Sequence, residues 1–122
     1  MDADRIVRDF CAAWGRADLD AIMGAFAEDA VYHNIPLEPC VGKGAIKGFI
    51  EGFLSTSPGG IDFDIRHQVV KGNVVMNERV DTFEMEGRRT PIPVCGVFEL
   101  DDEGRIVAWR DYFDMGAMQA GA

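Results

Sequence analysis

Positive charge, histidine and cysteine are all scarce in this chain, and each shortage closes off a class of function. Twenty-one acidic residues against twelve basic ones leave a net charge of −9. That balance disfavours a nucleic-acid partner, because affinity for a polyanion rests on Lys and Arg neutralising phosphates. No apolar run approaches the roughly 20 residues that span a bilayer, so no membrane association is expected. The opening Met1-Asp2-Ala3-Asp4-Arg5 has neither the basic nor the apolar stretch of a signal peptide, and a cytoplasmic protein is the expectation. The three cysteines, Cys11, Cys40 and Cys95, are odd in number and far apart. Their spacing suits neither zinc nor a redox pair, which predicts reduced thiols, buried or partly buried. Cys95 would need a nearby base to act as a nucleophile, and neither His33 nor His67 is placed to serve.

What is present is enough patterned sequence for one core, and residues 1–122 read as a single domain. An amphipathic helix is predicted over residues 4–14, with Ile6, Val7, Phe10, Cys11 and Trp14 at helical spacing and Gly15 ending it. Asp18 caps a second short helix carrying Leu19, Ile22, Met23 and Phe26. A short strand follows over residues 30–36, then a loop marked by Pro36, Pro39 and Gly42. The third helix, residues 43–54, has an apolar stripe of Ile46, Phe49, Ile50, Phe53 and Leu54. Its Gly44, Gly48 and Gly52 share one side and suggest close packing there. After residues 55–60 four strand-like segments follow, at residues 61–70, 74–85, 93–100 and 105–114. Turn signals at such short spacing argue for an antiparallel meander, and the sum is an α+β layer with helices on one face of a curved sheet.

The chemistry sits where strand patterns mix charge with rings. Alternation places Val75, Asn77, Arg79, Asp81 and Phe83 on one face of their strand, but both faces mix polar with apolar residues. Arg79 and Asp81 are compatible with an ordinary surface pair. The last strand is less neutral. Val107, Trp109, Asp111 and Phe113 form its more apolar face, so Asp111 is expected among rings, where a carboxylate is costly unless paired. Arg79 is the candidate partner. Tyr32 and Asn34 stand at the same i, i+2 spacing on the first strand. Five polar residues from three strands, each able to reach one side, are a more specific signal than any pair. His33 points away from Tyr32 and Asn34, whereas His67 shares the apolar face with Ile61, Phe63, Ile65 and Val69, lining either the pocket or the core.

At these residues the chain resembles the limonene-1,2-epoxide hydrolase family. The resemblance lies in Tyr32-His33-Asn34-Ile35-Pro36-Leu37, Asn77-Glu78-Arg79-Val80-Asp81, Gly96-Val97-Phe98-Glu99-Leu100 and Trp109-Arg110-Asp111-Tyr112-Phe113-Asp114. It implies an NTF2-like (SnoaL-like) cone, with N-terminal helices on a strongly curved, mixed, mostly antiparallel sheet. It also implies a homodimer, with neither metal nor organic cofactor. By the same resemblance Asp111 is the base on water, Asp81 the acid to the epoxide oxygen, and Arg79 the bridge between them. Tyr32 and Asn34 would position the water. Many members carry a longer N-terminal segment that helps close the pocket, whereas the first helix here is expected to start almost at once.

The expected reaction is direct addition of water to a small hydrophobic epoxide, cyclic or aromatic, giving a vicinal diol without an enzyme ester. Ile50, Phe53, Leu54, Ile65, Val94, Phe98, Trp109 and Phe113 are the expected pocket lining. One alternative on the same fold is a proton-shuttling isomerase or cyclase of the ketosteroid-isomerase kind, which calls for a lone aspartate facing a tyrosine hydroxyl. The other is a non-catalytic dimeric ligand-binding module, in which the five polar residues would be surface pairs.

Overall fold

The structure, a computed structural model, describes residues 1–120. Two helices open the chain, α1 (Ala3–Gly15) and α2 (Leu19–Gly24), and α3 (Lys43–Thr56) follows the first two strands. The strands are β1 (Phe26–Asn34), β2 (Cys40–Val41), β3 (Asp62–Lys71), β4 (Val74–Met85), β5 (Arg88–Leu100) and β6 (Ile106–Tyr112), with a short α4 (Met115–Ala120) after them. They form one sheet of order β2-β1-β6-β5-β4-β3, in which only the β1–β6 pair is parallel. The helices cover its inner face, as expected for an α+β layer. No helix among the described residues is long and apolar enough to cross a membrane.

Local chemistry starts the helices. The Asp2 carboxylate accepts from the Arg5 amide at 3.0 Å, and Asp18 does the same for Ala21 at 3.1 Å. From α1, Val7, Phe10, Cys11 and Trp14 go into the core. Phe10 meets Trp14, Phe26, Phe98 and Trp109 edge-on, with centroids 5.0–6.3 Å away. The turn before β3 is drawn hard against the end of α1, with Ile61 N donating to Trp14 O at 2.9 Å. Gly60 makes this approach possible: its φ is +101°, and a Cβ there would run into the Gly15 carbonyl.

Several elements depart from the sequence expectation, each for a physical reason. Phe26 opens β1 rather than closing the second helix, because Ile106 N donates to Ala25 O at 2.8 Å and draws the chain into the parallel ladder. The exposed pair Glu28-Asp29 and a register shift between Phe26 and Val31 hide this half of β1 from alternation. β5 begins at Arg88, well before residue 93. Pro91 and Pro93 are two apart, so both missing N–H groups fall on one edge, and β6 pairs with β5 only from Cys95 onward. The β4–β5 hairpin turns on Glu86 and Gly87 with φ of 55° and 78°, the paired positive angles of a two-residue turn. The glycines of α3 are not closely packed: a Cβ at Gly44, Gly48 or Gly52 would meet nothing within 4 Å.

Two bulges reset which side chains face inward. β3 shifts register between Ile65 and His67, so Gln68 rather than His67 turns toward the interior. The His67 side chain is 83% exposed, beside Glu78 on the outer face. β6 pairs Glu99 with Ala108 but Leu100 with Ile106, which leaves Val107 as the extra residue. Ile106 and Trp109 are therefore both fully buried although three apart, and Val107 is only half-buried. Cys95, expected to be at least partly buried, is exposed, whereas Cys11 is buried and Cys40 half-buried.

Candidate active site

Strand register brings one polar row across the sheet. Asn34 of β1 lies beside Asp111 of β6, Asp111 opposite Gly96 of β5, Gly96 opposite Asn77 of β4, and Asn77 opposite Gln68 of β3. Arg79 stands two residues along β4 from Asn77, on the same buried face as Val75, Asp81 and Phe83. Its guanidinium reaches over Gly96 toward Asp111. A Cβ on Gly96 would press on Arg79 Nη1 and lie 2.8 Å from Asp111 Oδ1 and 3.0 Å from Asn77 Oδ1. The missing side chain is what lets the two strands' charges meet.

Arg79 is 0% exposed, and its five hydrogen bonds match the five N–H donors of a guanidinium. Nε and Nη2 grip Asp81 at 2.9 and 2.8 Å. Nη2 also donates to Asp111 Oδ2 at 2.8 Å, and Nη1 to Asp111 Oδ1 at 3.3 Å and Asn77 Oδ1 at 2.9 Å. The surface-pair reading of Arg79 and Asp81 is therefore excluded. Burial opposes the guanidinium's charge, but Asp111 and Asp81 outweigh it and hold Arg79 well above the usual arginine range. The Phe63 ring lies 4.6 Å from the guanidinium carbon, adding a cation–π face.

The two carboxylates differ in surroundings. Desolvation pushes the Asp81 carboxyl up to about 6 against the lowering effect of Arg79, with Asp111 and Asp62 pushing the same way as burial. Asp111 takes a further hydrogen bond from the Trp109 indole, Nε1 to Oδ1, at 2.7 Å. Tyr32 stacks on the same indole with centroids 4.1 Å apart, and its hydroxyl donates to Asn34 Oδ1 at 3.4 Å. Burial, reinforced by the charge of Asp111, keeps the Tyr32 phenol well above the usual tyrosine range and hence protonated.

Above this floor lies an apolar cavity, whose empty space, counted together with the solvent in its open mouth, is about 540 Å³. Tyr32, Asn34, Asp81 and Asp111 line it together with Phe49, Phe53, Phe63, Phe83, Ile92, Val94 and Phe113. An apolar pocket with a few convergent polar groups suits a small hydrophobic ligand. Across residues 1–121 the chain matches the family model described as limonene-1,2-epoxide hydrolase catalytic domain.

The chain belongs to the limonene-1,2-epoxide hydrolase family. It is 36% identical over 119 residues to epoxide hydrolase EphG of Mycobacterium tuberculosis (strain ATCC 25618 / H37Rv), spanning 94% of this chain and 75% of that protein. The solved structure of an M. tuberculosis LEH-like epoxide hydrolase matches with a TM-score of 0.86 at 34% identity, over 98% of this chain and 87% of the other. A SnoaL-like protein from Shewanella denitrificans OS-217 matches with a TM-score of 0.88 at 16% identity, over 98% and 95%, and so shares the fold alone. The NTF2/SnoaL-like cone is thus established, and as a family member the chain is an epoxide hydrolase.

In this hydrolase four of the five polar residues read from the sequence line one cavity, and Arg79, fully buried, joins its two aspartates. The expected lining needs correction. Phe53, Val94 and Phe113 line the cavity, but Ile50, Leu54, Phe98 and Trp109 are buried in the core behind its wall, and half-buried Ile65 packs against that core. Ile50 and Leu54 share a helix face with Ile46, whereas Phe49 and Phe53, one residue before each, turn toward the opening. Three further side chains join the polar network: Asn77, expected only on the strand face of Arg79, Trp109, expected only as pocket lining and on the Asp111 face, and Gln68, which was not singled out. Asn77 accepts from Arg79, Gln68 accepts from Asn77 Nδ2 at 3.0 Å and donates to Asp4 Oδ1 at 2.8 Å, and Trp109 bonds Asp111. Asn77 shares its strand face with Arg79 and could have been included on alternation; Gln68 could not, because the bulge reverses its phase. His33 instead hydrogen-bonds the Leu37 carbonyl oxygen at 2.9 Å.

Gly96→Ala should show what that gap is worth. Overpacking costs about 1–3 kcal/mol, and a displaced guanidinium should lower kcat by about 100-fold. Urea denaturation and diol formation measure the two effects; wild-type values for both would show that the gap is not needed.

Proposed function

We propose that this hydrolase adds water to a hydrophobic cyclic or aromatic epoxide in one step, with Asp111 as base and Asp81 as acid. The observation that carries this reading is Arg79 Nη2, 2.8 Å from a carboxylate oxygen of each aspartate, buried beneath an apolar cavity. Tyr32 and Asn34, beside Asp111 on the same floor, hold the water. Asp111 takes its proton as the oxygen attacks an epoxide carbon. The carbon–oxygen bond on the other side breaks, and the proton of Asp81 goes to the departing oxygen. With one proton shared between the two acids, the trio with Arg79 is neutral before the step and neutral after it. No charge is created in a site that solvates charge poorly. An isomerase reading calls for a lone aspartate, and the bridged pair speaks against it. A purely ligand-binding module gives no reason to bury two carboxylates on one arginine.

We further propose that the enzyme works as a homodimer joined through the outer face of the sheet. There Val69 and Met76, neighbours across β3 and β4, are 64% and 43% exposed, and Tyr112 is 45% exposed opposite Cys95. Exposed apolar side chains on an open sheet face are the surface from which an interface can be built.

A single turnover in heavy-oxygen water should place the label in the diol and none in the protein; label on Asp81 or Asp111 would refute one-step hydrolysis. Asp81→Asn and Asp111→Asn should each lower kcat at least about 100-fold while circular dichroism stays unchanged, and near-full activity in either would remove its role. Because Asp81 donates only when protonated, kcat/KM should fall as pH rises through about 6. A profile flat from pH 5 to about 8 would be incompatible with that acid. Light scattering should give twice the chain mass of 13.4 kDa; a monomer at micromolar concentration would end the dimer reading.

A further inference from the structure

The polar row of the site continues away from the cavity, through side chains that take no part in the proposed proton transfers. Arg79 Nη1 donates to Asn77 Oδ1 at 2.9 Å, and Asn77 Nδ2 donates to Gln68 Oε1 at 3.0 Å. Gln68 Nε2 then donates to Asp4 Oδ1 at 2.8 Å and to the Asp4 carbonyl oxygen at 3.1 Å. Arg8 Nε closes the outer end, 3.2 and 3.1 Å from the two Asp4 carboxylate oxygens. The row thus runs from the buried guanidinium on β4, through β3, to the first turn of α1. Neither Asn77 nor Gln68 lines the cavity.

The row has a direction, and its two ends set it. A guanidinium can only donate and an ionised carboxylate can only accept. Gln68 therefore turns its nitrogen to Asp4 and is left with its oxygen for Asn77. Asn77 turns its nitrogen to Gln68 and is left with its oxygen for Arg79. Turning either amide round would set two donors or two acceptors face to face. The Gln68 amide and then Arg8 hold the Asp4 carboxyl below the usual carboxylate range, so that end stays an acceptor. The bulge between Ile65 and His67 is what brings Gln68 opposite Asn77.

At the inner end the row acts on Arg79 Nη1. That nitrogen divides its bonds between Asn77 Oδ1 at 2.9 Å and Asp111 Oδ1 at 3.3 Å, whereas Nη2 lies 2.8 Å from Asp111 Oδ2. The guanidinium is drawn onto Asp111 through one nitrogen and held off it through the other. Asp111 already takes short bonds from Nη2 and from the Trp109 indole. Each further full bond to an ionised carboxylate makes it a weaker base. We propose that Asn77 and Gln68 are positioning residues, an amide relay anchored by Asp4 that holds Arg79 Nη1 off the base Asp111 and so keeps that carboxylate able to take the proton of water. The proposal rests on the reading of Asp111 as the base and extends that site by two residues that act through Arg79.

The test uses Gln68→Met, which keeps the side chain's length and removes both amide bonds, and Asn77→Leu, which removes the relay at its inner end. With cyclohexene oxide, Asn77→Leu should lower kcat about tenfold and Gln68→Met about threefold, each with KM within about twofold of wild type. Because Gln68 acts only through Asn77, Gln68→Met should cost nothing further in the Asn77→Leu background. Losses that multiply in the double variant overturn the relay, as do losses confined to KM or a wild-type kcat in Gln68→Met. A second arm needs no turnover and decides the matter if Asn77→Leu does not fold. In protein labelled with 15N at arginine, the Arg79 side-chain signals are assigned by their absence from Arg79→Lys. In Gln68→Met the Arg79 Nη signals should move while Nε, held by Asp81, stays in place. Nη signals that do not move, or that move together with Nε, overturn the proposal. Wild-type protein that opens no epoxide, with the Nη shift present, would count against the hydrolase reading and leave the relay as what positions Arg79.

Discussion

The guanidinium of Arg79 lies at the centre of the inner sheet face, out of contact with solvent, and its five hydrogen bonds tie together side chains from β4 and β6. Such a charge is tolerable only because every N–H is matched. Removing one partner of a buried ion pair typically costs about 3–5 kcal/mol. Much of the surrounding architecture can be read as meeting that demand. Gly96 has no side chain, so the group can cross β5; Phe63 covers one side; Asn77 takes the bond that the two carboxylates leave, and is itself held by Gln68.

The same burial that makes the cluster costly makes it chemically useful. An exposed aspartate is ionised at neutral pH and cannot donate a proton. Beneath the phenylalanine-lined cavity, desolvation raises Asp81, while Arg79 and the Trp109 indole supply hydrogen bonds to Asp111. The two carboxylates thus differ in their partners, Asp111 alone taking the indole N–H, although they share one cation. The aromatic cluster around Phe10, Trp14 and Trp109 excludes water behind the site and sets the Trp109 N–H on Asp111 and the Tyr32 ring on the indole.

Much of this could be read along the chain because it depends on short-range pattern. Helices α1 and α2 begin at aspartate caps, Asp18 being legible as one in the sequence, and four polar residues needed only i, i+2 spacing to be grouped in pairs: Tyr32 with Asn34, Arg79 with Asp81. The failures share a cause. A bulge inserts one residue and reverses every side chain beyond it. His67 thus lost its place on the inner face to Gln68, and Val107 its place to Ile106. Pocket residues failed for another reason. Both the wall and the core behind it are apolar, so Phe49 and Phe53 cannot be told from Ile50 and Leu54 by composition.

By itself, then, the sequence determined the α+β plan, the acidic balance of the chain, and the pairing of Tyr32 with Asn34 and of Arg79 with Asp81 along their strands. These follow from periodicity and from the cost of placing a carboxylate among rings. Tertiary structure alone decided that Arg79 of β4 meets Asp111 of β6 across Gly96, that desolvation raises the Asp81 carboxyl, and that Trp14 keeps an unmatched N–H. Each of those depends on which strands become neighbours and in what register. That is settled by ladders between residues far apart in the chain, which no local pattern records.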